Sequence, residues 1–195
     1  DARPQSLTLT SIASALLYGI TTERSADAML VSVRLCGRRI RVHPMIAGKI
    51  EAIDRKIMAL AKSDPAVRAF LHDLSSIQTY HWRKIAWVSR MSNHSFGIAV
   101  DILPRRYDLK TLYWMWEAEK NSDWMLLPQS SLWAPPEAVI RLFLEEKFIW
   151  GGYWDRYDTM HFEYRPELFA LFKSITFDVK QDKDAAIKTA VQKIP

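Results

Sequence analysis

Apolar residues recur at helical spacing in the first third of the chain. The spacing of three or four residues predicts one amphipathic helix over about residues 44–61. A second helix is expected over residues 64–74, with Asp64 as its N-cap and Pro65 in its first turn. A shorter helix is expected over residues 11–18. The apolar positions of the long helix are Ile46, Ile50, Ile53, Ile57 and Leu60.

Strands are indicated where apolar and polar positions alternate. Residues 30–35 and 39–42 alternate on either side of Cys36-Gly37-Arg38, which predicts a β-hairpin. The stretch 80–88 is rich in β-formers, and 96–103 and 160–164 are two further strand candidates. Pro104 is expected to end the strand over residues 96–103, because proline cannot donate a ladder hydrogen bond.

The second half of the chain mixes helices with these strands. Residues 109–119 are ambiguous and favour a helix, and Pro135-Pro136 is expected to open a helix through residue 146. Gly151-Gly152 indicates a turn, a short helix is expected from Pro166, and the polar tail from Asp178 is expected to form a peripheral helix. No strict βαβ alternation is present. The pattern therefore predicts an α+β fold, a single domain with a small, mainly antiparallel sheet and helices packed on it.

Composition narrows the classes of protein. A length of 195 residues suits one domain, and the single cysteine, Cys36, excludes an intramolecular disulfide and a cysteine-based zinc cluster. A net charge of +5 and a pI of about 9.3 favour an anionic partner: nucleic acid, a lipid surface or an acidic cell-wall polymer. No apolar run approaches the roughly 20 residues of a membrane span. The chain starts at Asp1 without an initiating Met or an apolar signal core, which predicts a processed end.

The stretch SNHSFGIAVDI, residues 92–102, carries two polar side chains among buried-type residues. His94 and Asp101 are seven positions apart, so on a regular strand they would point to opposite faces. Gly97 lies between them, where the chain could bend and bring them together. The alternative is an exposed histidine and a turn-forming or capping aspartate.

The stretch DTMHFEYRPE, residues 158–167, surrounds one histidine with carboxylates. Asp158 precedes His161 by three positions and Glu163 follows it by two. A histidine in so apolar a stretch is often a core residue satisfied by one hydrogen bond. A catalytic zinc site, however, takes three histidine or carboxylate ligands, an open position for water and a nearby carboxylate base. The two stretches together supply His94, Asp101 and His161 as ligands and leave Asp158 as the base.

The two stretches also resemble a known family. SNHSFGIAVDI is similar to the S-x-H-x-x-G-x-A-x-D motif of the VanY-like D-alanyl-D-alanine carboxypeptidase family of zinc peptidases, which also contains phage L-alanyl-D-glutamate endopeptidases. DTMH is similar to the second motif of that family, an acidic residue three positions before the last histidine. The resemblance is expected to cover about residues 42–168. The matching positions are Ser92, His94, Gly97, Ala99, Asp101, Asp158 and His161.

The resemblance implies roles for individual residues. It assigns one zinc ion per chain to His94, Asp101 and His161 and the general base to Asp158. Many carboxypeptidases of the family have glutamate at the base position. The aspartate in this sequence, Asp158, makes the position similar to that of the phage endopeptidase branch. Glu163 is the rival base, and it is rated second, as a residue that orients the His161 imidazole.

The family also uses an upstream arginine to hold a substrate carbonyl or carboxylate. The candidates are Arg83, which is favoured because a strand-like stretch can aim it, and Arg90. Surface roles are the alternative for both arginines. Ser92 is expected to hydrogen-bond the loop or the substrate rather than act as a nucleophile, since no Gly-x-Ser-x-Gly motif surrounds it.

The implied activity is zinc-dependent hydrolysis of peptidoglycan stem peptides, with the carboxypeptidase favoured over the endopeptidase, on a fold like that of Hedgehog and DD-peptidases. A non-catalytic wall-binding module and a nucleic-acid binder are the competing readings. The second leaves the histidines and aspartates without a role, so no nucleic-acid partner is expected. We expect a monomer without an integral membrane segment, exported to the periplasm or cell envelope. The expected organisation is an extension over 1–41, a peptidase domain over 42–177 and a tail over 178–195.

Overall fold

The computed structural model describes residues 9–85 and 90–175. Helices and strands are mixed along the chain without strict alternation, and the α+β class expected of a single domain is confirmed. The helices are α1 Leu9–Tyr18, α2 Glu23–Met29, α3 Pro44–Leu60, α4 Pro65–His72, α5 Trp114–Ala118, α6 Glu137–Glu145 and α7 Pro166–Ile175. The strands are β1 Val31–Leu35, β2 Arg38–Val42, β3 Leu74–Gln78, β4 Ala99–Pro104, β5 Phe148–Trp150 and β6 His161–Tyr164.

The N-terminal helices form where the apolar spacing predicts them. The isoleucines on one side of α3 are buried, and this side packs against β1 and α6. The Asp64 carboxylate caps α4 by accepting hydrogen bonds from the backbone N–H groups of Ala66 and Val67 at 2.8 and 3.2 Å. The helix ends at His72, two residues earlier than expected, because Leu74 begins a strand.

Two antiparallel sheets contain the strands. β1 and β2 form the expected hairpin, and the other four strands form one sheet in the order β3-β4-β6-β5. The middle strands β4 and β6 are buried, and α6 contacts the edge strand β5. The central pair β4–β6 therefore offers a rigid platform that connects residues about sixty positions apart.

Two strand predictions are corrected by the structure, and one strand was missed. Residues 80–85 form no strand beyond a bridge between Lys84 and Met91, and the rest of that stretch lies outside the described residues. The strand is β3 instead, a polar edge strand with little alternation. The strand expected from residue 96 begins at residue 99, because a 3₁₀ turn, Asn93–Phe96, precedes it. β5 was not predicted, since three consecutive buried apolar residues show no period.

The remaining sequence predictions fall close to observed elements or on residues outside the described ranges. The ambiguous stretch 109–119 contains the short helix α5, and Gly151-Gly152 begins a 3₁₀ turn. The tail from Asp178 lies outside the described residues. The boundaries after residues 41 and 177 stay predictions. In the described part of the chain, no helix combines the length and apolar character that crossing a bilayer requires.

Gly97 ends the 3₁₀ turn in a left-handed conformation with φ +64°. A Cβ atom there would lie 2.3 Å from the Leu30 Cδ2 atom and 3.0 Å from the His43 backbone nitrogen. The Gly97 carbonyl accepts a hydrogen bond from this same nitrogen at 2.9 Å, so the backbone cannot easily withdraw. Glycine is therefore required both by its conformation and by the close approach.

We expect Gly97→Ala to lower the free energy of unfolding by about 2–5 kcal/mol, the sum of a left-handed alanine and overpacking against His43. Urea unfolding measures this change. Gly48→Ala is the matched control, because Gly48 lies inside α3 with nothing within 4 Å of its added Cβ. The control is expected to gain roughly 0.5–1 kcal/mol. Equal stability of the two variants would contradict the account of Gly97.

Candidate metal centre

The register of β4 and β6 places Asp101 directly opposite His161. Opposite residues of an antiparallel pair share a face of the sheet, so the two side chains meet. The Asp101 Oδ1 atom lies 2.7 Å from the His161 Nδ1 atom. Glu163, two residues along β6, is on the same face, and the residue opposite it in β4 is the small Ala99. The alternating positions of two paired strands thus bring one imidazole and two carboxylates together.

His94 reaches the same point from the 3₁₀ turn that precedes β4. Its Nε2 atom lies 3.1 Å from Asp101 Oδ2 and 3.2 Å from His161 Nδ1. The odd spacing between His94 and Asp101 is no obstacle, because the turn and the left-handed Gly97 separate His94 from the strand. The structure therefore brings together the three side chains that the sequence singled out as ligands.

The three side chains offer their donor atoms at one point. One atom from each of His94, Asp101 and His161 lies within 4.8 Å of the others. His94 Nδ1 donates to the Thr79 carbonyl at 2.7 Å, so Nε2 is the ring nitrogen that faces this point. His161 Nε2 donates to the Glu163 carboxylate at 3.2 Å, which directs Nδ1 at the same point. This donor set, two imidazoles and a carboxylate, fits a divalent metal ion.

The charges of the cluster hold one another in place. Burial alone would raise the pKa of Asp101, but hydrogen bonds from His161 and His94 hold it well below its usual range. Burial would lower the pKa of His161, but the hydrogen bonds to Asp101 and Glu163 raise it well above its usual value. When no metal is bound, the protonated imidazole of His161 therefore donates hydrogen bonds to both Asp101 and Glu163. A divalent cation would take the place of that proton.

Glu163 is held by its own set of donors. Besides His161, the Asn93 amide nitrogen donates to its Oε2 at 2.7 Å and the Arg165 guanidinium donates to its Oε1 at 2.8 Å. Burial would raise the pKa of Glu163, but hydrogen bonding from His161 keeps it well below its usual range. The carboxylate is therefore ionised, and it fixes the ring orientation of His161.

We expect Glu163→Gln to weaken zinc binding by about 10–100-fold, because the amide is a weaker acceptor for the His161 N–H and can present its NH₂ group instead. Competition with a zinc chelator of known affinity measures the change. Glu167→Gln is the matched control: Glu167 also bonds Arg165, but its side chain is half exposed and makes no contact with His161. Equal affinities for the two variants would show that Glu163 does not support the site.

Asp158 lies on the turn that leads into β6. Its carbonyl accepts a hydrogen bond from the His161 backbone nitrogen at 3.1 Å. Its carboxylate Oδ1 is buried and has no hydrogen-bond partner among the residues that the structure describes. Burial raises the pKa of this carboxyl to about 7, which the positive charge of His161 opposes and the negative charge of Asp101 supports. An unpartnered buried carboxylate with such a pKa is suited to taking up a proton near neutral pH.

This arrangement predicts that Asp158 destabilises the metal-free protein. Because its pKa is raised in the folded state from 3.8 to about 7, ionisation opposes folding, and stability is lost as the pH rises from about 4 to 7. In the presence of a chelator, Asp158→Asn should therefore gain up to about 4 kcal/mol over the parent between pH 4 and pH 8. Urea unfolding of both proteins at the two pH values tests this. A difference in unfolding free energy that does not change with pH would show that burial does not raise the pKa of Asp158.

The two candidate arginines have different surroundings. The backbone of Arg83 runs beside the 3₁₀ turn Asn93–Phe96, the ligand turn, which carries His94. The Arg83 N–H donates to Ser95 Oγ at 3.0 Å and its carbonyl accepts from Ser92 N at 2.9 Å. Its exposed guanidinium lowers the pKa of Asp158. Arg90 is exposed and borders a separate depression with Asn93 and Tyr18. Of the two, Arg83 is the arginine whose charge reaches Asp158.

Ser92 begins the ligand turn. Its buried hydroxyl accepts a hydrogen bond from the His94 backbone nitrogen at 3.3 Å, which fixes the start of the 3₁₀ turn. Three contributors to the site were not anticipated from the sequence: the Thr79 carbonyl, Asn93 and Arg165. A backbone carbonyl carries no sequence signal at all. Asn93 and Arg165 could have been considered only as neighbours of the two motifs.

Comparison with known protein families gives a match. A family model described as D-alanyl-D-alanine carboxypeptidase matches residues 87–164, which confirms the resemblance seen in the two motifs. The match begins later than residue 42 and does not include Arg83. It contains the three converging side chains, Asp158 and Glu163, so this segment has the sequence of a peptidase family. No curated protein and no solved structure matched the chain.

Proposed function

We propose that this protein, whose residues 87–164 match the D-alanyl-D-alanine carboxypeptidase family, is a zinc-dependent hydrolase of peptidoglycan stem peptides. The observation that carries the proposal is the convergence of His94, Asp101 and His161 beside the unpartnered carboxylate of Asp158. Each part has a use in metal-assisted hydrolysis. A wall-binding module would need no such carboxylate.

The proposed metal is one zinc ion per chain, held by His94 Nε2, an Asp101 oxygen and His161 Nδ1. Catalytic zinc sites commonly use three nitrogen or oxygen ligands and leave a further position open. When bound, zinc supplies a Lewis acid that lowers the pKa of water from 15.7 to about 7 and polarises a carbonyl group. Thr79 and Glu163 keep both imidazoles in the tautomers that such binding requires.

Asp158 is proposed as the general base. Its carboxylate takes a proton from the attacking water while the water oxygen forms a bond to the scissile carbonyl carbon. As the C–N bond breaks, the same carboxyl returns the proton to the leaving amine, so that atoms and charge balance. The raised pKa, about 7, suits both halves of this transfer. Arg83 is proposed to bind a substrate oxygen through its exposed guanidinium.

The proposal extends to the substrate, the cellular location and the organisation of the chain. The substrate is a stem peptide cut at a bond that involves a D-amino acid, and the terminal D-alanine is the favoured leaving group. The net charge of +5 favours approach to anionic wall material. We propose that the protein acts as a monomer in the periplasm or cell envelope, with its peptidase domain over residues 42–177, preceded by the extension 1–41 and followed by the tail 178–195.

Mass spectrometry of muropeptides treated with the zinc-loaded protein tests the proposal. Loss of a single alanine from pentapeptide stems is the expected result. A stem split between L-alanine and D-glutamate would replace the carboxypeptidase by the endopeptidase of the same family. Intact muropeptides together with retained binding would leave a wall-binding module and overturn hydrolysis.

A further inference from the structure

The segment 111–113 lies beside the turn that carries Asp158. Tyr113 pairs with Asp158 in an antiparallel bridge. The Thr159 backbone nitrogen and hydroxyl both donate to the Leu112 carbonyl, at 2.8 and 3.1 Å. The Thr159 side chain is fully buried, so its hydrogen bond to Leu112 lies in the interior of the protein. The backbone of Tyr113 is therefore positioned by the same turn that positions the proposed base.

The Tyr113 side chain lies on the same side as the Asp158 carboxylate. Residues directly opposite each other in an antiparallel pair project from the same face. The electrostatics agree: burial raises the pKa of Tyr113, the charges of Asp158 and Asp101 raise it further, and that of Arg83 lowers it. The phenol therefore stays protonated near neutral pH. It lies close enough to Asp158, Asp101 and Arg83 for their charges to shift its pKa.

The Tyr113 hydroxyl has no strong partner of its own. It contacts the Met115 sulfur at 4.0 Å, which is a weak acceptor, and within residues 9–85 and 90–175 no other hydrogen bond of this hydroxyl is found. The ring is half-buried and packs edge-on against Trp116, with 5.6 Å between the centroids. A half-buried phenol on the face of Asp158 thus has a proton free to donate.

We propose that the Tyr113 hydroxyl donates a hydrogen bond to a negatively charged oxygen of the substrate. The proposal rests on the hydrolysis proposed above. Two substrate oxygens share this chemistry: the oxyanion that develops on the scissile carbonyl, and the terminal carboxylate of the peptide. A donor to the first acts in the transition state, whereas a donor to the second acts in substrate binding.

Tyr113→Phe tests the proposal, because it removes the hydroxyl alone and leaves the ring packed against Trp116. Tyr107→Phe is the matched control, since Tyr107 is exposed on the loop after β4. Both variants are assayed in the zinc-loaded full chain on a D-alanyl-D-alanine stem peptide. Zinc content and thermal unfolding are expected to equal those of the parent in both.

The kinetic constants distinguish the two oxygens. A donor to the oxyanion predicts that Tyr113→Phe lowers kcat by about 10²–10³-fold with KM unchanged. A donor to the carboxylate predicts a rise in KM of about 10-fold. Wild-type constants in Tyr113→Phe would overturn the proposal and leave the hydrolysis intact. An inactive parent protein would overturn the hydrolysis itself, and Tyr113 with it.

Discussion

Asp158→Asn is expected to lower kcat/KM for a stem peptide by about 10²–10⁴-fold, the usual contribution of a general base. Asparagine keeps the size of the side chain but cannot accept a proton from water. The zinc content is expected to stay at one ion per chain, because Asp158 is not among the converging donor atoms. A loss of activity with zinc retained therefore identifies the base rather than a ligand.

Asp155→Asn is the matched control, since Asp155 is an exposed aspartate three residues away. It is expected to hydrolyse the peptide like the parent. Measurement of the expected gain in stability of metal-free Asp158→Asn at high pH would exclude unfolding as the cause of its inactivity. Full activity in Asp158→Asn would contradict the assignment and pass the role of base to Glu163.

His161→Ala is expected to abolish tight zinc binding. Apparent free energies of roughly 10–16 kcal/mol for four-ligand structural sites correspond to about 2.5–4 kcal/mol per ligand, so the affinity should fall by about 10²–10³-fold. The variant also leaves Asp101 and Glu163 without the imidazole between them. Equilibrium dialysis followed by metal analysis measures the loss, and circular dichroism shows whether the variant is folded.

His72→Ala is the matched control for this experiment, because His72 is exposed at the end of α4. It should bind zinc like the parent. Asp101→Asn is a second variant that keeps the shape of the site and should weaken zinc binding in the same direction. Undiminished binding in both site variants would place the metal elsewhere.

The sequence predicted local features of the site better than its long-range connections. The offset of three between Asp158 and His161 is a local turn, and the offset of two between His161 and Glu163 follows the period of a strand. Both are properties of a few neighbouring residues. The α3 isoleucines and the Asp64 cap were predictable for the same reason.

The pairing of Asp101 with His161 could not be derived in this way. It depends on the register of β4 against β6, which is decided by packing between strands sixty residues apart. The odd spacing of His94 and Asp101 pointed to a bend at Gly97 but not to the 3₁₀ turn that carries His94. Tyr113 was out of reach altogether, because the bridge that places it beside Asp158 leaves no pattern in the sequence.

The most direct test of the account is a zinc titration of the metal-stripped protein with hydrolysis of a stem peptide as the readout. We predict no hydrolysis without metal and a linear return of activity that saturates at one zinc ion per chain. His161→Ala should stay inactive over the same range. Hydrolysis by the stripped protein, or none at any zinc content, would contradict a catalytic zinc centre at His94, Asp101 and His161.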